Sequence, residues 1–219
     1  MTTTAAVLFD LDGTLLDTAP EFTHCLNLML KEESRDPVSL EALRPSISFG
    51  AKGMLRFGFN LSEEDPYLEK LVPRFLDVYQ YHLGQLTHFF PGMEQILHFI
   101  SQQRLSWGIV TNKHLHFTSA LVERFTTLQE AQCIIAGDSL PFSKPSPEPL
   151  LHAAQMLKAK PESCWYIGDA KTDLEASRKA NMRCAIANYG YIPLNEDPMS
   201  WDADRYLASP SEIEQLLLA

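Results

Sequence analysis

The sequence has 219 residues, 45% hydrophobic and 21% charged, with 10 Gly and 14 Pro, which supports a packed core and excludes disorder, collagen and coiled coil. Its 18 Lys and Arg face 28 Asp and Glu, and the net charge of −10 repels phosphate backbones and anionic lipid, so no nucleic acid and no membrane partner is expected. The carboxylate excess does suit a hard cation, which takes oxygen ligands.

In chain order, MTTTAAVLFD lacks a basic n-region and meets an acid after a short apolar run, so it reads as neither signal peptide nor membrane anchor. Apolar runs at Ala5 to Phe9, Trp107 to Thr111, Cys133 to Ala136, Cys164 to Ile167, Cys184 to Ala187 and Arg205 to Leu207 read as buried strands. Helical patterns separate them: His114 to Phe125, Ser146 to Lys158 with Ser146 as N-cap, and Thr172 to Ala180 closed by Asn181. Ser209-Pro210-Ser211-Glu212 has capping-box spacing ahead of a last helix. The alternation predicts an α/β fold: a Rossmann-like, doubly wound parallel sheet.

Nearly a hundred residues separate the first two strands, far more than one crossover needs. Phe22, Leu26, Met29 and Leu30 form one helical stripe and Leu68, Leu71, Phe75 and Tyr79 another, with no alternating strand between. This predicts an inserted all-helical domain at 18–86 and an α/β core of 1–17 plus 87–219. Pro91-Gly92 marks the return, ahead of a helix with Met93, Ile96, Leu97 and Ile100 on its apolar face. The four cysteines form no CxxC pair and read as buried reduced thiols, which points to a cytoplasmic setting. The seven His lack metal spacing, so zinc is not expected.

Phe9-Asp10-Leu11-Asp12-Gly13-Thr14 ends a strand in two carboxylates spaced by two, which aims both to one side at the edge where open α/β sheets bind ligands. Asp-Gly after a strand is also a turn signal. Downstream stand Thr111-Asn112 at a strand end, Lys144 between Ser143 and two prolines, and Asp169 and Asp173 around a helix start. Each alone has an ordinary structural reading: a strand-ending Thr, a solvated Lys, and acids that complement a helix dipole.

In this order, DLDGT at Asp10 to Thr14, Thr111, Lys144, Gly168-Asp169 and Asp173 resemble the haloacid dehalogenase-like phosphatases over essentially the whole chain. The resemblance implies Asp10 as nucleophile, Asp12 as general acid and base, and Thr111, Asn112 and Lys144 as phosphate-binding groups. It further implies Mg2+ held by Asp10, the Asp12 carbonyl and Asp169, with Asp173 behind them, and a helical cap that sets specificity, with Arg44, Ser48 and Lys52 as candidates. An acid at position 12 disfavours dehalogenation, which has no alkoxide to protonate. The opening DLDGTLLDTAPEF and SKPSPEPLL are similar to the phosphoglycolate phosphatase group, while Asn188 to Tyr191 and the loop to Trp201 are similar to relatives acting on N-acetylmuramic acid 6-phosphate. A sugar phosphomutase and a non-catalytic binding protein on the same fold are the alternatives. The expected partner is a small-molecule phosphate ester, and the chain is compatible with a monomer or a homodimer. Two departures stand out: Ala170 where a second Asp is common, and Asn181 in place of a usual Gly.

Overall fold

A computed structural model of the chain describes residues 4–218. Met1 to Thr3 of the N-terminal segment read above lie outside the described residues. In chain order the elements are β1 (Ala6–Phe9), α1 (Ala19–Glu32), α2 (Leu40–Leu43), α3 (Gly50–Phe59), α4 (Leu68–His82), α5 (Met93–Gln102), β2 (Ser106–Val110), α6 (Leu115–Arg124) and β3 (Ile134–Ile135). There follow α7 (Glu148–Met156), β4 (Cys164–Gly168), α8 (Lys171–Lys179), β5 (Arg183–Ala187), β6 (Arg205–Leu207) and α9 (Glu212–Leu218). The chain divides into two units, 1–17 with 89–190 and 197–219, and 18–88 with 191–196. Residues 87–88 and 191–196, expected in the core span, thus group with the helical unit.

In the first unit the six strands named above form one sheet in the order β3-β2-β1-β4-β5-β6, and every pairing in it is parallel. The chain leaves β1 toward β2 and β3, then returns to β4 on the other side of β1. That reversal creates a crevice at the carboxyl ends of β1 and β4, the place where doubly wound sheets bind ligands. Side chains alternate across the sheet: Ala6, Leu8, Val110, Cys164 and Tyr166 pack with Leu150 and Ala153 of α7 and Ala176 of α8. On the opposite face Phe9 meets Trp107 edge-on, with ring centroids 6.1 Å apart. Both faces are covered, which explains why the strands read as continuous apolar runs.

The register fixes the site's height. Phe9 lies opposite Ile109 of β2 and Ile167 of β4. The next residues continue the ladder, Asp10 N–H donating to the Ile167 carbonyl and Thr111 N–H to the Ile135 carbonyl, both at 2.9 Å. Asp10, Thr111 and Asp169 therefore leave the same sheet edge.

Two helix starts differ from expectation. α7 begins at Glu148, and the Ser146 hydroxyl donates to the Glu148 carboxylate instead of capping the helix. At α9 the Glu212 carboxylate accepts from Ala208 N–H at 3.2 Å while Ser209 faces Ser211, so the expected box is not closed on Ser209. Asn181 does take the left-handed conformation after α8, with φ of 57°.

The helical unit buries the two stripes read from sequence: Phe22, Leu26, Met29 and Leu30 on α1, and Leu68, Leu71, Phe75 and Tyr79 on α4. Residues 191–196 join it for an electrostatic reason. The start of α1 leaves N–H groups without helical partners and Thr18 supplies no side-chain cap; the Tyr191 hydroxyl accepts from Thr18 N–H at 2.7 Å and Ala19 N–H at 2.9 Å. No helix among the described residues is long and apolar enough to cross a membrane.

Candidate active site

The turn after β1 folds back on itself: Gly13 N–H donates to the Leu16 carbonyl at 3.0 Å, and Leu15 and Leu16 N–H groups both reach the Leu11 carbonyl. Gly13 has φ of +83°, and any Cβ there would collide with the Asp169 carboxylate. A Cβ at Gly190 would meet the same carboxylate from another side. Asp169, at the end of β4, is thus confined by backbone, is 2% exposed and accepts from the Thr14 hydroxyl at 3.1 Å.

Lys144 is the centre of the buried charge. Its ammonium lies 3.1 Å from Asp10 Oδ1, 2.7 Å from Asp173 Oδ1 and 2.7 Å from the Tyr166 hydroxyl, with 2% of the side chain exposed. Burial pulls this ammonium down, but the Asp10 and Asp173 carboxylates together outweigh it and hold Lys144 above its ordinary value. Asp10, with 13% of its side chain exposed, is pushed up to about 6; burial raises it most, Lys144 opposes, and Asp173 adds to the rise. Tyr166 donates to the Val110 carbonyl at 2.8 Å, and burial holds its phenol well above the usual range.

The loop carrying Lys144 is held by Asn112. Its side-chain carbonyl accepts from Lys144 N–H at 3.0 Å and its amide donates to the Lys144 carbonyl at 2.9 Å. The Asn112 amide, expected on phosphate, is here engaged with the main chain of the lysine. The Thr111 hydroxyl accepts from Lys113 N–H at 3.2 Å, a bond that leaves its own hydrogen to donate elsewhere. Asp173 does two jobs, accepting from Ala170 N–H at 2.9 Å at the start of α8 and pairing with Lys144. Its helix-start reading and its site reading are both present.

Asp12 stands apart from that cluster. Both its oxygens face Lys113 Nζ, at 3.2 and 3.1 Å, with 20% of the Asp12 and 6% of the Lys113 side chain exposed. One oxygen each from Asp10, Asp169 and Asp173 lie within 4.8 Å of one another. The grouping brings Asp173 level with the two expected side-chain ligands. Asp138 accepts from Leu115 N–H at 2.7 Å at the start of α6, and that bond holds its carboxyl low.

Among the specificity candidates, Arg44 lies over the Tyr191 ring at 5.8 Å, the Ser48 hydroxyl donates to the Tyr191 carbonyl, and Lys52 is exposed, all within the helical unit. Sequence reasoning gave no role to Lys113, Tyr166 or Tyr191. Tyr166 carried a usable signal: a hydroxyl-bearing ring inside a fully buried strand needs a polar partner, and on β4 it shares a face with Gly168 at the sheet's carboxyl end.

A family model described as haloacid dehalogenase-like hydrolase matches residues 7–187, which includes every one of these groups except Gly190 and Tyr191. The chain belongs to the haloacid dehalogenase-like hydrolases. It is 37% identical to an N-acetylmuramic acid 6-phosphate phosphatase of Pseudomonas aeruginosa, over 97% of this chain and 94% of that one. To a phosphoglycolate phosphatase of Xanthomonas campestris it is 38% identical, over 95% and 94%. A crystal structure titled as a predicted phosphoglycolate phosphatase from Haemophilus somnus superposes with a TM-score of 0.85 at 22% identity, covering 99% of each chain, and so shares the fold.

Proposed function

We propose that this hydrolase is a Mg2+-dependent phosphomonoesterase acting on a small phosphorylated hydroxy acid. The observation that carries the reading is the buried cluster at the carboxyl ends of β1 and β4, where the Lys144 ammonium faces the Asp10 and Asp173 carboxylates and one oxygen each of Asp10, Asp169 and Asp173 lie within 4.8 Å of one another. Its donors are all hard oxygens gathered at one point, which fits Mg2+ held by Asp10 and Asp169, with the Asp12 carbonyl and Asp173 as the remaining candidates. When bound, the ion supplies the positive charge that lets an anionic nucleophile approach a phosphate dianion.

In this reading an Asp10 oxygen attacks phosphorus while the ester P–O bond breaks, and the departing oxygen takes the proton of the Asp12 carboxyl. Asp12 then removes a proton from the water that attacks the aspartyl phosphate, which releases phosphate and restores Asp10. Lys144 balances charge on the phosphoryl oxygens, and the Thr111 hydroxyl donates to one of them. Tyr166 and Asn112 keep Lys144 in place from its tip and its backbone respectively. The helical unit is assigned the cap and its specificity role, with Arg44, Ser48 and Lys52 as the positions to substitute. Four buried, unpaired thiols suit a reducing cytoplasm.

The two relatives of nearly equal identity bear different substrate names, and each of those substrates carries a carboxylate. The test is phosphate release, with and without Mg2+, from 2-phosphoglycolate and N-acetylmuramic acid 6-phosphate at equal concentration, with Asp10→Asn as the blank. Mg2+-dependent release from either ester that vanishes in the variant is the expected result. Release that persists in Asp10→Asn would overturn the mechanism, and activation by a bisphosphate without net release would indicate a phosphomutase.

A further inference from the structure

Building on the phosphomonoesterase reading, we infer that Lys113 is a specificity residue that receives a carboxylate carried on the carbon next to the ester oxygen, so that the preferred substrates are phosphate esters of 2-hydroxy acids. Its ammonium touches both oxygens of Asp12, at 3.2 and 3.1 Å, and touches them from the same unit of the fold. The leaving oxygen must come within about 3 Å of an Asp12 oxygen for proton transfer. The first atoms of the alcohol therefore lie beside Lys113, while Lys144 lies among Asp10, Asp173 and Tyr166 on the side of the nucleophile. The two ammonium groups divide the substrate between them, one serving the phosphoryl group and the other the alcohol.

Lys113 cannot easily turn away to water. Its N–H donates to the Thr111 hydroxyl at 3.2 Å, its carbonyl accepts from Gly137 N–H at 2.9 Å, and only 6% of its side chain is exposed. A nearly buried ammonium favours an anion over a neutral acceptor, because a charged partner offsets desolvation that a neutral one does not. A carboxylate on the carbon bearing the ester oxygen falls within its reach. One held across a pyranose ring lies several bonds farther away.

The experiment compares kcat and KM of the intact, Mg2+-supplied protein on 2-phosphoglycolate and on its carboxamide, 2-phosphoglycolamide, for the wild type, Lys113→Met and Lys113→Arg. The expected wild-type preference for the acid is at least about ten-fold in kcat/KM, carried mainly by KM. Lys113→Met slows both esters but loses the preference, and Lys113→Arg retains part of it. Equal use of acid and amide by the wild type overturns the inference without any variant. So does a Lys113→Met protein that slows both esters with the preference intact, which would make Lys113 a restraint on Asp12 alone. Should Lys113→Met fail to fold, the wild type and Lys113→Arg still decide. Absence of release from every ester overturns the phosphatase reading itself, a result distinct from release without preference.

Discussion

Each unit of the chain buries carboxylates, and the two do so in opposite ways. In the helical unit Glu21 is fully buried and is met by neutral donors: its oxygens accept from Gly84 N–H at 2.8 Å, Leu86 N–H at 3.0 Å and the Thr87 hydroxyl at 3.1 Å. Neutral donors satisfy the charge, and the carboxylate ties residues 84–87 to α1. In the α/β unit Asp10 and Asp173 share one ammonium, Asp169 stands beside them, and Asp10 is driven up to about 6. A buried acid whose lone pairs are filled by backbone is a structural device. One that shares its ammonium with a second carboxylate at a sheet edge is poised to meet a cation or a substrate.

The most severe test of this contrast is Lys144→Met. Removing the shared ammonium strands buried carboxylates with no counter-charge, and the expected cost is about 3–5 kcal/mol. Urea unfolding of metal-free protein measures it. A loss below about 1 kcal/mol would mean that the cluster is already compensated by solvent, and the contrast with Glu21 would fail.

Asp10→Asn and Glu21→Gln are the same chemical change, and the contrast predicts opposite signs. The carboxyl of Asp10 rises on folding from an ordinary value of 3.8 to about 6, so the folded protein binds more protons than the unfolded chain between those limits. Its stability contribution is therefore fully present below about pH 4 and is lost as pH climbs through about 6. An amide at position 10 escapes that loss. Metal-free Asp10→Asn is expected to unfold at higher urea than wild type at pH 7.5, the gap closing toward pH 4, and added Mg2+ should narrow it by stabilising the wild type. A gap independent of pH would remove Asp10 from the account.

Glu21→Gln should instead destabilise, by about 1–3 kcal/mol, because the new NH2 group faces N–H donors where an oxygen accepted before. Turnover per folded molecule should hardly change, since Glu21 has no assigned part in the chemistry. Calorimetry with a parallel activity assay reads both halves of the prediction. A stable variant would show that backbone donors do not need the charge.

Much of this was visible in the residues because local and global signals agree there. Asp10 and Asp12 follow a β-branched and aromatic run and precede Gly13, so strand, turn and site coincide in one pentapeptide. The stripes of α1 and α4 were legible because a buried helix face must repeat at 3.6 residues. What escaped depends on contacts between residues far apart in sequence. Tyr191 caps α1 from 172 positions away, and nothing local to Tyr191 announces that orphan N–H groups wait there. Asn112 looked like a phosphate ligand because it adjoins Thr111, yet its amide matches the backbone of Lys144. Ser146 and Ser209 had capping chemistry at plausible positions, but neighbouring Glu148 and Ser211 offered their side chains nearer partners.

Tyr166 supports the smallest of the expected effects and the finest version of the contrast. Its hydroxyl donates to the Val110 carbonyl while lying 2.7 Å from Lys144 and 3.2 Å from Asp173, so it links the sheet's backbone to the charged cluster. Tyr166→Phe keeps the ring in the core and removes only that link, at an expected cost of about 1 kcal/mol. If the hydroxyl merely fills space, catalysis follows stability and the variant behaves as wild type once folded. If it positions Lys144, kcat falls several-fold further than stability accounts for, while KM moves little, because the lysine's charge survives and only its aim is lost. A kcat equal to that of the wild type, measured on the ester it hydrolyses best, would leave Asn112 and Asp173 as sufficient supports for Lys144.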